Sequence, residues 1–277
     1  MNVNKFNLSD GTFIRYTKHG NGPVLILFHT FRNRLEYSNF IVPRITDHYT
    51  VYLLDLPGFG ESPINKKTVY SQTFFTNSIV NFINHLHLTD ITLAGESIGG
   101  VLPIAIANLI PSKIKKIFCF NPYDYDTKFA EGIRRGNLFS NFILFHVGIP
   151  FIGVFFNALE NKFILKNILY GGFYDKNKLP SDYLNLLTTA MQKSGYIHHF
   201  RSVLFNIKTW TCSKTIYGTI NTPVTLVYGE FDWSEKNERL DTQTKLKLDS
   251  HITLKNCSHF SFLEKPDEVA KILLQKD

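Results

Sequence analysis

Five residues, Gly95-Glu96-Ser97-Ile98-Gly99, constrain this chain more than any other stretch. An apolar run, Ile91-Thr92-Leu93-Ala94, precedes them, and a helix-like stretch from Val101 to Leu109 follows. The pattern is a strand, a sharp turn and a helix, with a serine at the apex. Such a turn strains the backbone at its central residue, so the neighbours two positions away must be small. Gly95 and Gly99 meet that need, and Gly100 adds a third residue without a side chain. The geometry lifts the Ser97 hydroxyl clear of a sheet. It also aims the unpaired N–H groups of the next helix at anything bonded to that oxygen.

A serine hydroxyl is a poor nucleophile near neutral pH. It needs a general base, and the base needs an orienting acid. Val224 to Gly229 reads as a buried strand running into Glu230-Phe231-Asp232-Trp233, which puts Asp232 in the loop at its end. Ile252-Thr253-Leu254 reads as another strand, followed by Asn256-Cys257-Ser258-His259-Phe260. The chain order is therefore Ser97, Asp232, His259, each just past a strand. In a parallel sheet those strand ends lie on one edge, where the three side chains can converge. Two other carboxylates compete for the acid's place: Glu230, two residues from Asp232, and Asp124, just after the sixth strand.

On these residues the chain is similar to the α/β-hydrolase fold superfamily, over all but about residues 125–215. Val24 to His29 resembles the family's third strand and the histidine that opens its oxyanion loop. Asp55-Leu56-Pro57-Gly58-Phe59-Gly60-Glu61-Ser62 resembles the loop after the fourth strand, and His259 with Phe262-Leu263-Glu264-Lys265-Pro266 resembles the C-terminal histidine segment. The chain departs from the pattern at two places. His29 is followed by Thr30-Phe31 where glycine is usual, and Cys257 stands where glycine is common.

The resemblance implies an α/β fold with a mostly parallel, twisted eight-stranded sheet flanked by helices. It also implies a core of residues 1–124 and 216–277, with a helical cap, 125–215, inserted after strand six. It implies a serine hydrolase acting on carboxylic esters through an acyl-enzyme, with Ser97, Asp232 and His259 catalytic. The backbone N–H groups of Phe31 and Ile98 would hold the oxyanion, and no cofactor is needed. Epoxide and haloalkane hydrolases of this fold carry aspartate at the nucleophile position, so Ser97 argues against both. Carbon–carbon bond hydrolysis and cofactor-free perhydrolysis use the same serine and stay open. So does a small-molecule receptor built on a hydrolase scaffold. Asp55 reads as a residue that structures its loop.

Composition agrees with a globular protein. A chain of 277 residues, 44% hydrophobic, can bury a large single core. The net charge of +7 is spread in short clusters such as Lys66-Lys67 and Arg134-Arg135. No basic stripe or recognised module speaks for nucleic acid. Weak attraction to an anionic membrane remains open. Three cysteines make no disulfide framework, and Cys119 reads as a core residue. No metal-ligand spacing is visible. Met1 to Tyr16 lacks a basic segment followed by an apolar one, so the reading is cytoplasmic.

Lys5 to Leu8 and Thr12 to Thr17 read as strands joined at Ser9-Asp10-Gly11. Leu35 to Ile45 reads as a helix, Thr50 to Leu54 as strand four, and Lys113 to Asn121 as strand six. Phe75, Ile79, Phe82, Ile83 and Leu86 fall at helical spacing. A last helix begins near Pro266 and buries Val269, Ile272 and Leu273. Asn137 to Leu159 contains no Asp, Glu, Lys or Arg, and Phe and Ile dominate it. It is long enough for a membrane span, but Gly148, Pro150 and Gly153 interrupt it. The expectation is a broken helical cap whose apolar side chains line a pocket for a lipophilic ester or touch a membrane surface. Oligomeric state is not legible.

Overall fold

Short β-rich runs separated by helical patterns fold here into one eight-stranded sheet. The computed structural model describes residues 3–275. The first two residues and the last two, included in the expected core, lie outside it. The strands are β1 Val3–Asn7, β2 Phe13–His19, β3 Val24–Phe28, β4 Thr50–Leu54, β5 Ile91–Glu96, β6 Ile114–Phe120, β7 Val224–Gly229 and β8 Ile252–Leu254. Their order is β1-β2-β4-β3-β5-β6-β7-β8. β2 pairs antiparallel with β1 and with β4, and every other pair is parallel. This is the mostly parallel sheet the resemblance implies.

The central strands are buried on both faces. β4 and β5 have no exposed residue, which is why they read as unbroken apolar runs. The helix Gln72–His85 covers one face with Phe75, Ile79, Phe82 and Ile83, all 0% exposed. Each such side chain contributes about 1.5–3 kcal/mol on burial. The helix Pro266–Leu273 does the same with Val269, Ile272 and Leu273, and proline opens its first turn. Cys119 is buried in β6, as a core residue.

Several expected bounds shift: the strand expected over Lys5 to Leu8 is Val3–Asn7, and the one expected over Thr12 to Thr17 is Phe13–His19. Leu35 to Ile45 is not one helix: it splits into a 3-10 turn, Leu35–Phe40, and a short α-helix, Val42–Ile45. Pro43 has no N–H to donate back to Asn39, so the α-helical ladder cannot run through. β6 also stops one residue short of Asn121, whose φ of 42° turns the chain out of the sheet.

Between β6 and β7 the chain leaves the sheet and is helical. The longer helices are Leu138–Val147, Ile152–Ala158, Lys162–Tyr170, Ser181–Ala190 and Tyr196–Phe205. The charge-free stretch forms the first two, broken between Gly148 and Phe151. Among the described residues, no helix is long and apolar enough to cross a membrane.

Candidate active site

Ser97 sits between β5 and the helix Ile98–Leu109 with φ 62° and ψ −123°. A non-glycine residue rarely adopts that conformation, and it does so where surrounding contacts fix it. Here the Ser97 N–H donates to the Phe120 carbonyl at 3.0 Å, and its own carbonyl accepts from Gly100 and Tyr123. Small neighbours are obligatory. A Cβ at Gly95 would run into the Gly99 carbonyl oxygen, and one at Gly99 into the His29 carbonyl oxygen. The turn is thus compressed between strands, as its sequence predicts.

β7 delivers Asp232 and β8 delivers His259 to one place. His259 Nδ1 lies 2.5 Å from Asp232 Oδ1, and neither side chain is exposed. The second oxygen, Oδ2, accepts from the Ser234 N–H at 3.0 Å and from the Ser234 hydroxyl. Burial alone would push the Asp232 carboxyl up, but His259 and Ser234 outweigh it and hold it below the usual range. Asp232 is therefore ionised, and the imidazole donates from Nδ1. That leaves Nε2 as the ring's lone pair. Nε2 is buried and makes no hydrogen bond. A buried nitrogen with no partner is rare in native structures.

The two rival carboxylates are occupied elsewhere. Asp124 accepts from the hydroxyls of Tyr217 at 2.9 Å and Thr242 at 3.0 Å, and Lys214 Nζ lies 3.6 Å from it. Burial pushes its carboxyl up to about 6. Glu230 faces the surface, near Lys255 Nζ and the Asn256 N–H. Neither touches His259.

A narrow apolar cleft runs over Ser97. Its lining includes Ser97, Phe31 and Ile98 together with Ile168, Leu204 and Ile207 of the inserted segment. Among the described residues, the N–H groups of Phe31 and Ile98 have no acceptor. Both belong to residues that line the cleft. His29 shapes this loop from behind: its Nδ1 bonds the Thr30 carbonyl at 2.7 Å, and its Nε2 accepts from the Leu56 N–H. Burial pushes its imidazole down to about 4, so it stays neutral. Asp55 accepts from the Leu35 and Glu61 N–H groups and from Arg15 Nε. It structures its loop, as the sequence suggests.

Three features were not legible in the sequence. Trp233, next to Asp232, stacks flat on the His259 ring at 3.8 Å, with its indole N–H on the Gly171 carbonyl. Glu96, directly before Ser97, is fully buried and accepts from Tyr37, Asn121 and Ser261. Asn121 in turn donates to the His259 carbonyl at 3.0 Å, so Glu96 ties the serine turn to the histidine loop. Lys193 Nζ, from the inserted segment, bonds the carbonyls of Gly58, Gly60 and Ser62. The only hint was position: Trp233 and Glu96 each adjoin a predicted site residue.

The model for the alpha/beta hydrolase fold matches residues 23–266. The chain belongs to the alpha/beta hydrolase family. Among its relatives is human epoxide hydrolase 4, 23% identical over 266 residues, which cover 91% of this chain and 71% of that protein. Another is the pimeloyl-[acyl-carrier protein] methyl ester esterase of Aeromonas hydrophila subsp. hydrophila. It is 30% identical over 101 residues, 36% of this chain and 38% of that one. Among solved structures, an epoxide hydrolase, CorEH, superposes with a TM-score of 0.82 at 18% identity, covering 99% of this chain and 97% of its own. Family membership supports hydrolase chemistry. The bond broken is a separate question, because relatives of both kinds are found.

Proposed function

We propose that this alpha/beta hydrolase cleaves carboxylic esters with apolar acyl groups, through an acyl-enzyme on Ser97. The observation that carries the proposal is the buried, unpartnered Nε2 of His259, whose other nitrogen Asp232 holds. In this reading His259 Nε2 takes the proton of Ser97 as its oxygen attacks the ester carbonyl. Asp232 stabilises the imidazolium that results. The carbonyl oxygen, now negative, accepts from the N–H groups of Phe31 and Ile98. Collapse expels the alcohol, which takes the proton back from His259. Water then repeats the sequence and releases the acid and the free serine.

The residue type at position 97 separates ester from epoxide hydrolysis. A carboxylate that opens an epoxide forms an ester, which water can cleave. A serine that opens one forms an ether, which the same groups cannot cleave, so the enzyme would stop after one event. Serine therefore supports ester cleavage, in line with the esterase relative rather than those named epoxide hydrolases.

The helical segment acts as the cap in this reading, since Ile168, Leu204 and Ile207 close the cleft over Ser97. An almost wholly hydrocarbon lining favours an unbranched or lipophilic acyl chain. The test is a series of p-nitrophenyl esters from acetate to palmitate. The expected result is steady turnover with a maximum at medium or long chains. A sharp preference for acetate would count against the apolar cap. A single burst without turnover would favour a receptor.

A further inference from the structure

The inserted helices bury one side and leave the other bare. Leu138, Phe142 and Phe145 recur at i, i+4 and i+7, so they share one face of the helix Leu138–Val147. That face points to solvent, with Leu138 88% exposed. The next helix continues it with Phe151, Ile152 and Phe155, and Phe151 is 93% exposed. Phe163 extends it at 67%. Soluble proteins rarely expose contiguous apolar surface of this kind without a use for it.

The hairpin is held together from within. The His146 ring stacks on Phe156 at 4.7 Å and lies 4.4 Å from Phe142. Phe151, at the turn, has φ 63°, a conformation bulky residues avoid. The tip thus projects an aromatic ring into solvent on a strained backbone. Nothing in the cleft requires this, since the cleft is lined by other residues.

Cations lie beside the patch. Arg134 lies over the Phe145 ring at 5.4 Å, and Arg201 over Phe205 at 4.9 Å. Lys162 is exposed at the start of the next helix. Two nearby acids are paired. Glu160 is held by Arg32 and the Tyr196 hydroxyl, and Glu131 by Arg135. Asn137 to Leu159 contributes no charge at all.

We propose that this hairpin docks on an anionic lipid bilayer, with Phe151 and Phe155 entering the headgroup boundary and the cationic rim meeting acidic lipids. Apolar side chains bordered by Lys and Arg are the recipe for interfacial binding. The exposed groups carry no directional donors or acceptors, so they suit a fluid apolar phase. A second copy fits worse, because two such faces would oppose their cationic rims. The inference does not rest on the ester reading.

The test is sedimentation of the full chain with phosphatidylcholine vesicles, with and without phosphatidylglycerol. The parent and Phe151→Ser/Phe155→Ser are compared, together with Arg134→Gln/Lys162→Gln. The parent is expected to bind the anionic vesicles more tightly than the neutral ones, and less tightly in raised salt. The phenylalanine variant should bind at least about tenfold more weakly. The charge variant should lose the preference for anionic lipid. Melting temperatures near the parent's would show that both variants fold, as expected for exposed positions. Failure of the parent to bind either vesicle, or equal binding by parent and phenylalanine variant, would overturn the proposal. So would a dimer in solution that the phenylalanine variant dissolves while vesicles bind neither. Hydrolysis of soluble p-nitrophenyl esters reads the ester proposal separately.

Discussion

Asp232 Oδ1 and His259 Nδ1 lie 2.5 Å apart, with both side chains shut off from solvent. One arrives at the end of β7 and the other past the end of β8, two neighbouring parallel strands. The contact fixes which nitrogen carries the proton and leaves Nε2 with its lone pair. Asp232→Asn keeps the shape but offers an amide where a charge was needed. If it presents its N–H₂ to Nδ1, the imidazole adopts the wrong tautomer. The expected loss in kcat on p-nitrophenyl esters is about 10⁴-fold with KM little changed. Steady-state kinetics on the purified variant checks this. Asp124→Asn should instead leave kcat within a few-fold and lower the melting temperature.

Trp233 stacks on the same imidazole from the side. The expectation is that Trp233→Ala frees the ring to rotate and lowers kcat by about tenfold or more, because small misplacements of a reacting group are costly. Trp233→Phe keeps an aromatic face and loses only the bond to Gly171. It should retain most of the activity while melting at a lower temperature. Parallel kinetics and thermal melts distinguish the two effects.

Glu96 gives the protein a pH signature. Burial drives its carboxyl up to about 8 from an ordinary 4.5, although Ser261, Tyr37 and Asn121 all favour the charged form. Between those two values the folded chain holds a proton that the unfolded chain has lost. Stability from this group is therefore greatest below about 4.5 and falls as pH rises toward 8. Glu96→Gln removes the titration. The melting temperature of the parent should fall by a few degrees more than that of Glu96→Gln between pH 6 and pH 9. Equal slopes would contradict this account of Glu96.

Leu204 lines the same cleft as Ser97 and is fully buried. Leu204→Trp should fill the space an acyl chain would occupy. The ratio of kcat/KM for octanoate over acetate is expected to fall by about tenfold or more, given what a few methylenes contribute in a hydrophobic pocket. The measurement is the same ester series on parent and variant. An unchanged ratio would mean the chain lies elsewhere.

Much of this was legible because it is local. β4, β7 and β8 carry the bounds their apolar runs imply, Thr50–Leu54, Val224–Gly229 and Ile252–Leu254. The turn at Ser97 was legible because its glycines are required by a crowded backbone two residues either side. The helix expected over Leu35 to Ile45 is split because Pro43 lacks the N–H that an α-helical ladder needs there. The links from Glu96 to Ser261 and from Lys193 to Ser62 join residues 165 and 131 apart in the chain. No periodicity encodes such pairs, since they depend on how the loops and inserted helices settle on the sheet. Chain order and loop position favour Asp232 over Asp124 in the sequence, and the packing agrees: Asp232 meets His259 Nδ1, whereas Tyr217 and Thr242 occupy Asp124.

The central claim is that the Ser97 hydroxyl is the nucleophile. Steady-state turnover by Ser97→Ala, on whichever p-nitrophenyl ester the parent cleaves best, tests it most directly. A fall in kcat of about 10⁴–10⁶-fold, in a variant that melts like the parent, is the predicted result. Turnover at the parent's rate by that variant would contradict the account.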